Sequence, residues 1–244
     1  MDLWKMMEAL KSDAYEWVDL SYPVSDTTHH LSLFPAMETR ELLSHDKEKV
    51  TVREYKMVSQ YGTHIDPPFH FVKGARSLDK IGVKECAFPL CVVDASAQAA
   101  ANHDYALTKA DLLAWEAKHG RIPENSFVAM RTDWYKREGE AFFNKDSKGD
   151  PHYPGWSVEA LTFLCNDRKV GAIGHEPPDT DPAENNKVVL WGAERYLLEQ
   201  DRYQIEILRN LDKLPATGSV IFVGFPNIVD GAGFTARCYA IYPK

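Results

Sequence analysis

No apolar run in this 244-residue chain approaches the ~20 residues that a membrane-spanning helix needs. Positive charge is in short supply. Lys and Arg number 28 against 36 Asp and Glu, a formal net charge of −8 with nine His taken as neutral. The chain therefore lacks the basic footprint of a nucleic-acid binder and the polybasic patch that anionic lipid attracts. Cysteine is scarce: Cys86, Cys91, Cys165 and Cys238 include no C-x-x-C. They read as free, buried thiols, which fits a reducing, cytoplasmic compartment. No G-x-S-x-G elbow supports a serine α/β-hydrolase, and no G-x-G-x-x-G or P-loop string supports nucleotide binding. A leader with a continuous apolar centre is also missing. Instead, Asp2, Lys5, Glu8, Lys11 and Asp13 interleave with Leu3, Met6, Met7 and Leu10, the pattern of an amphipathic helix.

What is present is a globular composition, 44% hydrophobic and 26% charged with 14 Gly and 14 Pro, in a chain long enough to bury a large core. Pattern and punctuation predict strands at 18–21, 50–59, 90–95, 127–131, 170–174, 203–208, 220–225 and 234–241. Helices are expected from the Thr108 cap to His119 with Gly120 as stop, from Ser157 to about Arg168, and over 192–199. Residues 135–156 read as a polar loop and 176–182 as a rigid acidic loop. Interleaved strands and helices without a linker or repeat predict one α/β domain over 1–244, with a mixed sheet or distorted barrel.

Chemistry concentrates in one segment. Gln60, His64, Asp66 and His70 carry ligand-grade or hydrogen-bonding heads at spacings of 4, 2 and 4. In an extended chain, residues two apart share a face, so His64 and Asp66 converge on one point. An imidazole with a carboxylate suits zinc, manganese or iron(II). Gly62 allows a tight backbone, and Pro67-Pro68 must end the strand and fix its exit. A His-x-Asp pair alone is usually two ordinary polar residues. The whole string, with its Gly and Pro punctuation and second His, is much more specific.

That string, Gly62-Thr63-His64-Ile65-Asp66-Pro67-Pro68-Phe69-His70, resembles the H-x-G-T-H-x-D-x-P-x-H motif of the cyclase-like metal-dependent hydrolases. That family includes bacterial kynurenine formamidases and isatin hydrolase. The resemblance spans most of the chain. Asp19-Leu20-Ser21-Tyr22-Pro23-Val24 is similar to the family's opening. Gly174 with Thr180-Asp181, Glu194-Arg195-Tyr196-Leu197-Leu198, and Glu206 with Asn210-Leu211-Asp212 are similar to later segments. The resemblance implies metal ligation by His64, Asp66 and Glu206, with Asp66 and Glu206 able to bridge two ions, and His70 as general acid/base. It also implies an α/β domain around a β-barrel-like core flanked by helices, of the swivelling β/β/α kind. A homodimer or homotetramer is implied too, to whose contacts the N-terminal helix is one candidate contributor.

Two positions depart from the family pattern. Gln60 stands where the motif's first His ligand is usual, and Glu194 where the C-terminal His is usual. Both can offer oxygen, so Gln60 and Glu194 are retained as candidate ligands of one or two divalent ions, Mn2+ or Zn2+, with the oxygen-rich set favouring the harder metal. Phe34, aligned roughly with a family Trp, joins His175 and Trp191 as candidate substrate contacts; the plainer alternatives are a loop histidine and core tryptophans. The expected activity is hydrolysis of an amide, cyclic amide or lactone of a small substrate, aromatic ones included, by metal-activated water with a His proton carrier. A lactonase or cyclase of the same family, and a non-catalytic small-molecule binder with a decayed site, are the alternatives.

Overall fold

The structure is a computed structural model that describes residues 2–31 and 33–244. Its centre is a nine-stranded mixed sheet. In chain order the strands are β1 (Tyr15–Asp19), β2 (His64–Asp66), β3 (Ala87–Asp94), β4 (Phe127–Arg131), β5 (Ala172–His175), β6 (Tyr203–Glu206), β7 (Ser219–Gly224), β8 (Phe234–Thr235) and β9 (Arg237–Pro243). Their spatial order is β1-β9-β7-β3-β4-β5-β6-β2-β8. The central run β3-β4-β5-β6 is parallel. The flanking pairs on both sides are antiparallel.

Parallel strands are covered on both faces and so read as continuous apolar runs. Phe127, Val128, Ala129 and Met130 of β4 are all fully buried. Period-2 alternation divides them between two cores. Phe127 and Ala129 join Leu90, Val92, Tyr203, Ile205 and Ile221 inside the curl of the sheet. Val128 and Met130 join Cys91, Val93 and Ile173 under the helices. The sheet thus forms a curled half-barrel with helices on its outer face. This is the mixed, barrel-like α/β fold that the sequence predicts.

Four helices matter here: α1 (Leu3–Leu10), α2 (Lys109–His119), α3 (Val158–Thr162, continued by a π-helical stretch over Phe163–Arg168) and α4 (Gly192–Glu199). Thr108 caps α2 through a reciprocal capping box with Asp111, and Gly120 ends it at φ +89°. Leu112, Trp115, Leu161, Leu164 and Leu197 supply the helical side of the outer core. By contrast α1 buries no residue, and Trp4 is 83% exposed; the Trp17 indole donates to the Leu10 carbonyl at the helix end at 2.7 Å. Cys91, Cys165 and Cys238 are buried free thiols and Cys86 is half-buried. Among the described residues no helix is long and apolar enough to cross a membrane.

Three expectations need correction. The alternating segment at 50–59 does form a strand, Val52–Lys56, but it pairs with Glu38–Leu43 in a separate exposed hairpin. The strand expected at 234–241 is broken at Ala236, whose N–H donates to the Thr63 carbonyl at 2.8 Å. Its first part, β8, therefore pairs with β2 instead of β7. The segment at 135–156 is irregular but not simply polar. Phe142 and Tyr153 pack with Trp134, Ala183 and Ile207 in a small third core.

Candidate active site

Strand β2 holds only three residues, His64, Ile65 and Asp66, all buried. Ile65 points into the half-barrel core. His64 and Asp66 point the other way, with His64 Nε2 3.3 Å from Asp66 Oδ2. The strand is short because Pro67 and Pro68 follow it, and Pro68 starts a single 3-10 turn, Pro68–His70. The His70 N–H closes that turn on the Pro67 carbonyl at 2.9 Å. This carries the His70 ring back over the site, with Nε2 3.9 Å from Glu194 Oε1. At the other end Gly62 sits at φ +63°, the left-handed region that favours glycine. Its carbonyl lies 2.8 Å from His64 Nδ1.

Strand β6 supplies the opposite wall. Glu206 is the register partner of His64 and Gln204 that of Asp66. Glu206 Oε2 lies 3.4 Å from His64 Nε2. Glu194 comes from the first turn of α4, whose start is fixed by Asp181: its carboxylate accepts from the N–H groups of Ala193 and Glu194 at 2.8 and 3.0 Å. Asp179, two residues earlier, lines the same cavity and accepts from Asn186 Nδ2 at 3.0 Å. Asp179 also accepts from the Asp181 N–H at 2.9 Å, a turn within the acidic loop, and adds a buried carboxylate to the cavity lining.

Gln204 is the residue that motif reading missed. It is fully buried, and its Nε2 lies 2.9 Å from Glu194 Oε1, 3.0 Å from Glu206 Oε1 and 3.3 Å from Asp66 Oδ2. Its own carbonyl accepts from Thr180 Oγ1 at 2.5 Å. One neutral amide therefore ties three carboxylates together. The signal was available, because Gln204 stands two residues before Glu206 and so shares its face.

The electrostatics require a cation. Burial pushes Glu194 and Glu206 far above the usual carboxylate range, and repulsion from neighbouring carboxylates adds to it. Burial raises Asp179 to about 7. Asp66 is the exception: burial raises it, but the adjacent His64 outweighs that and holds it well below the usual range. Burial opposes charge on His64, and the Asp66 carboxylate overcomes this and raises it. Among the described residues no Lys or Arg lines the cavity. With Nδ1–H donated to Gly62, the His64 Nε2 lone pair faces two carboxylate oxygens, an arrangement that only a proton or a metal ion can reconcile. At this site two groups have ligand atoms within 4.8 Å of one another, His64–Asp66–Glu206 and Asp179–Glu194–Glu206, and they share Glu206; a third such group, Asp104–His152–Glu184, lies elsewhere. The donor set fits a divalent metal.

The cavity holds about 350 Å³ and combines these groups with Leu31, Leu33, Phe34, Phe71, Pro178, Trp191 and Ile207. Trp191 meets Phe71 edge-on with centroids 5.7 Å apart. Phe34 and Trp191 thus stand on the cavity wall. His175 does not. It is fully buried behind Glu206, with Nε2 3.4 Å from Glu206 Oε1 and Nδ1 accepting from the Trp156 indole at 3.3 Å. Trp134 and Trp156 are likewise buried in cores. Gln60 is at the site, but its amide nitrogen, not its carbonyl, faces Asp66 Oδ1 at 3.1 Å. Three larger surface depressions, of about 1130, 790 and 380 Å³, contain none of His64, Asp66, Glu194 or Glu206.

The family model described as "Putative cyclase" matches residues 18–182. The chain belongs to this cyclase family. Isatin hydrolase of Roseibium aggregatum is 37% identical to it over 202 residues, covering 75% of this chain and 72% of that protein. Isatin hydrolase A from Labrenzia aggregata, solved bound to benzyl benzoate, superposes with a TM-score of 0.91 at 32% identity over 99% of both chains. An isatin hydrolase bound to the product analogue thioisatinate gives 0.91 at 30% identity, over 99% of this chain and 98% of that one.

As a member of this family the chain is a metal-dependent hydrolase. A bound divalent ion supplies Lewis acidity and lowers the pKa of water. His64, Asp66, Glu194 and Glu206 are the residues that would hold it. Gln204 keeps three of those side chains converged. His70, partly exposed at the cavity edge, is placed to carry a proton between attacking water and leaving group at its Nε2.

Proposed function

We propose that this protein opens the C–N bond of a neutral cyclic amide fused to an aromatic ring, an isatin-like substrate. The observation that carries this is the pairing, in one cavity, of the His64–Asp66–Glu206 group with an aromatic wall of Phe34, Phe71 and Trp191 and no lining cation. An anionic substrate would meet four carboxylates and no Lys or Arg. A flat apolar ring against Trp191 and Phe34 meets surface of its own kind.

The reading includes the metal. One ion takes the His64–Asp66–Glu206 position, and a second, all-oxygen position is offered by Asp179–Glu194–Glu206. With one nitrogen donor among them, Mn2+ is favoured over Zn2+. It includes an assembly as well: the exposed apolar side chains of α1 are the surface offered to a second copy, forming a homodimer.

The test is hydrolysis of isatin, an aryl formamide and an aromatic lactone by protein reconstituted with Mn2+ or Zn2+. Fastest turnover is expected on the cyclic amide, abolished by chelation and restored by metal. Stoichiometric metal with no turnover on any of the three would overturn the reading in favour of a binding protein.

A further inference from the structure

Gln60 occupies a ligand position of the motif, yet its surroundings make it something else. Its Nε2 lies 2.9 Å from the Ala232 carbonyl, 3.1 Å from Asp66 Oδ1 and 3.3 Å from His70 Nδ1. Its carbonyl accepts from the Ser59 hydroxyl. The amide cannot be turned over. Exchanging O and N would set a carbonyl oxygen against a carbonyl and a carboxylate, three acceptors with no donor. The space for this orientation is made by Gly233, where a Cβ would stand 2.2 Å from Gln60 Nε2.

A consequence follows for His70. An amide NH2 has hydrogens and no available lone pair, so His70 Nδ1 cannot donate to it. Nδ1 must be the bare, accepting nitrogen, sharing one of the two amide hydrogens. The neutral ring then carries its proton on Nε2, the nitrogen that faces Glu194 across the cavity. We infer that Gln60 is a positioning residue, not a metal ligand: its side-chain amide fixes the His70 ring as the Nε2–H tautomer and clamps Asp66 in the same contact. The resting site thereby presents a proton donor to the leaving nitrogen. In the donating step, the Nε2–H bond breaks as the new N–H bond on the leaving group forms. The vacated Nε2 then takes up the proton released by the attacking water, which returns the ring to its starting state, so no proton is gained or lost over a cycle.

This rests on the reading of His70 as the proton carrier, and the experiment separates the two. Wild type, Gln60→Ala and Gln60→Met are labelled with 15N-histidine and loaded with diamagnetic Zn2+. The His70 ring is assigned with a His70→Ala variant. Tautomers are read from two-bond 1H–15N correlations, and metal content and steady-state kinetics are measured alongside. The wild-type ring should show a protonated Nε2 and a hydrogen-bonded, unprotonated Nδ1. Both substitutions should keep the metal stoichiometry, shift His70 to a mixture of tautomers, and lower kcat by at least about 10-fold with KM nearly unchanged. The Met variant fills the volume of Gln without its donor, so it separates loss of the hydrogen bond from loss of packing. A protonated Nδ1 in the wild type, or loss of metal in both variants, would overturn the assignment. The wild-type tautomer is readable whether or not any amide is turned over, so an idle enzyme with the expected spectrum would count against the proposed function alone.

Discussion

His64 and Glu206 face each other as register partners across the antiparallel β2–β6 pair, with Nε2 3.4 Å from Oε2. Sheet pairing alone brings the two halves of the motif together, since each strand needs only to alternate for its polar residues to share a face. The same alternation holds Asp66 beside them. Truncating a ligand should therefore empty the site, whereas truncating the proton carrier should not. His64→Ala and Asp66→Ala should lose bound metal. His70→Ala should keep it while turnover falls about 10²–10⁴-fold. Metal analysis of the three purified variants checks this; full occupancy in His64→Ala would remove the ligand assignment.

The crowded acids set a pH dependence whose sign is defined. Burial and mutual repulsion raise Glu194 and Glu206 far above the usual range, and burial raises Asp179 to about 7. Among the cavity carboxylates Asp66 runs the other way. A carboxyl with a raised folded-state pKa leaves the folded state holding more protons than the unfolded chain. The contribution of these three acids to the stability of metal-free protein is full below the ordinary carboxylate pKa of about 4.3 and is lost as pH rises through the folded values. Metal displaces those protons, so its affinity grows with pH. The melting temperature of the metal-free protein should fall between about pH 5 and pH 8, and the increase on adding Mn2+ should widen over that range. A metal-induced increase that does not change with pH would exclude these acids as ligands.

Much of this was legible from residue order. The Phe127–Arg131 strand and the Thr108-capped helix are local signals, an apolar run and a cap pattern, and with the 192–199 helix they stand where the sequence puts them. His64 and Asp66 were legible for the same reason. Gln204 was not, because its role is to bridge carboxylates that arrive from β2 and α4, and no local pattern announces that. His175 was misplaced on the cavity wall because sequence adjacency to the acidic loop says nothing of which side of Glu206 it takes. The 50–59 strand carried the right period, but its charged residues face solvent on both sides, so it left the main sheet for a hairpin.

Gly62 should tolerate no side chain. At φ +63° an L-residue is strained, and a Cβ there would stand 2.8 Å from Thr28 Cγ2. Gly74, at φ +78°, has open space around it. Gly74→Ala should cost the left-handed strain alone, about 1–2 kcal/mol. Gly62→Ala should cost more, because the Thr28 side chain must also shift. It should weaken metal binding too, since the Gly62 carbonyl orients His64. Chemical denaturation and metal titration of both variants check the difference; equal losses would place the constraint in the backbone angle and not in the contact.

His175 offers the sharpest separation of a supporting role from a substrate contact. Burial pushes its pKa down to about 3, so it is neutral at any working pH. The Trp156 indole donates to Nδ1, which leaves the proton on Nε2, an atom with no hydrogen-bond partner and with Glu206 Oε1 3.4 Å away. Its neutral N–H stands within reach of Glu206 without bonding it here; closing that gap when metal is bound would orient the carboxylate without neutralising it, and loss of such a partner typically costs about 10–100-fold in metal affinity or activity. His175→Ala should therefore weaken metal affinity by about that factor while leaving KM for an aromatic amide unchanged once metal is saturating. His175→Gln, which can still accept from the indole and donate to Glu206, should recover part of the loss. Competition with a chelator measures the affinity. A raised KM at saturating metal would return His175 to the cavity wall, against its complete burial.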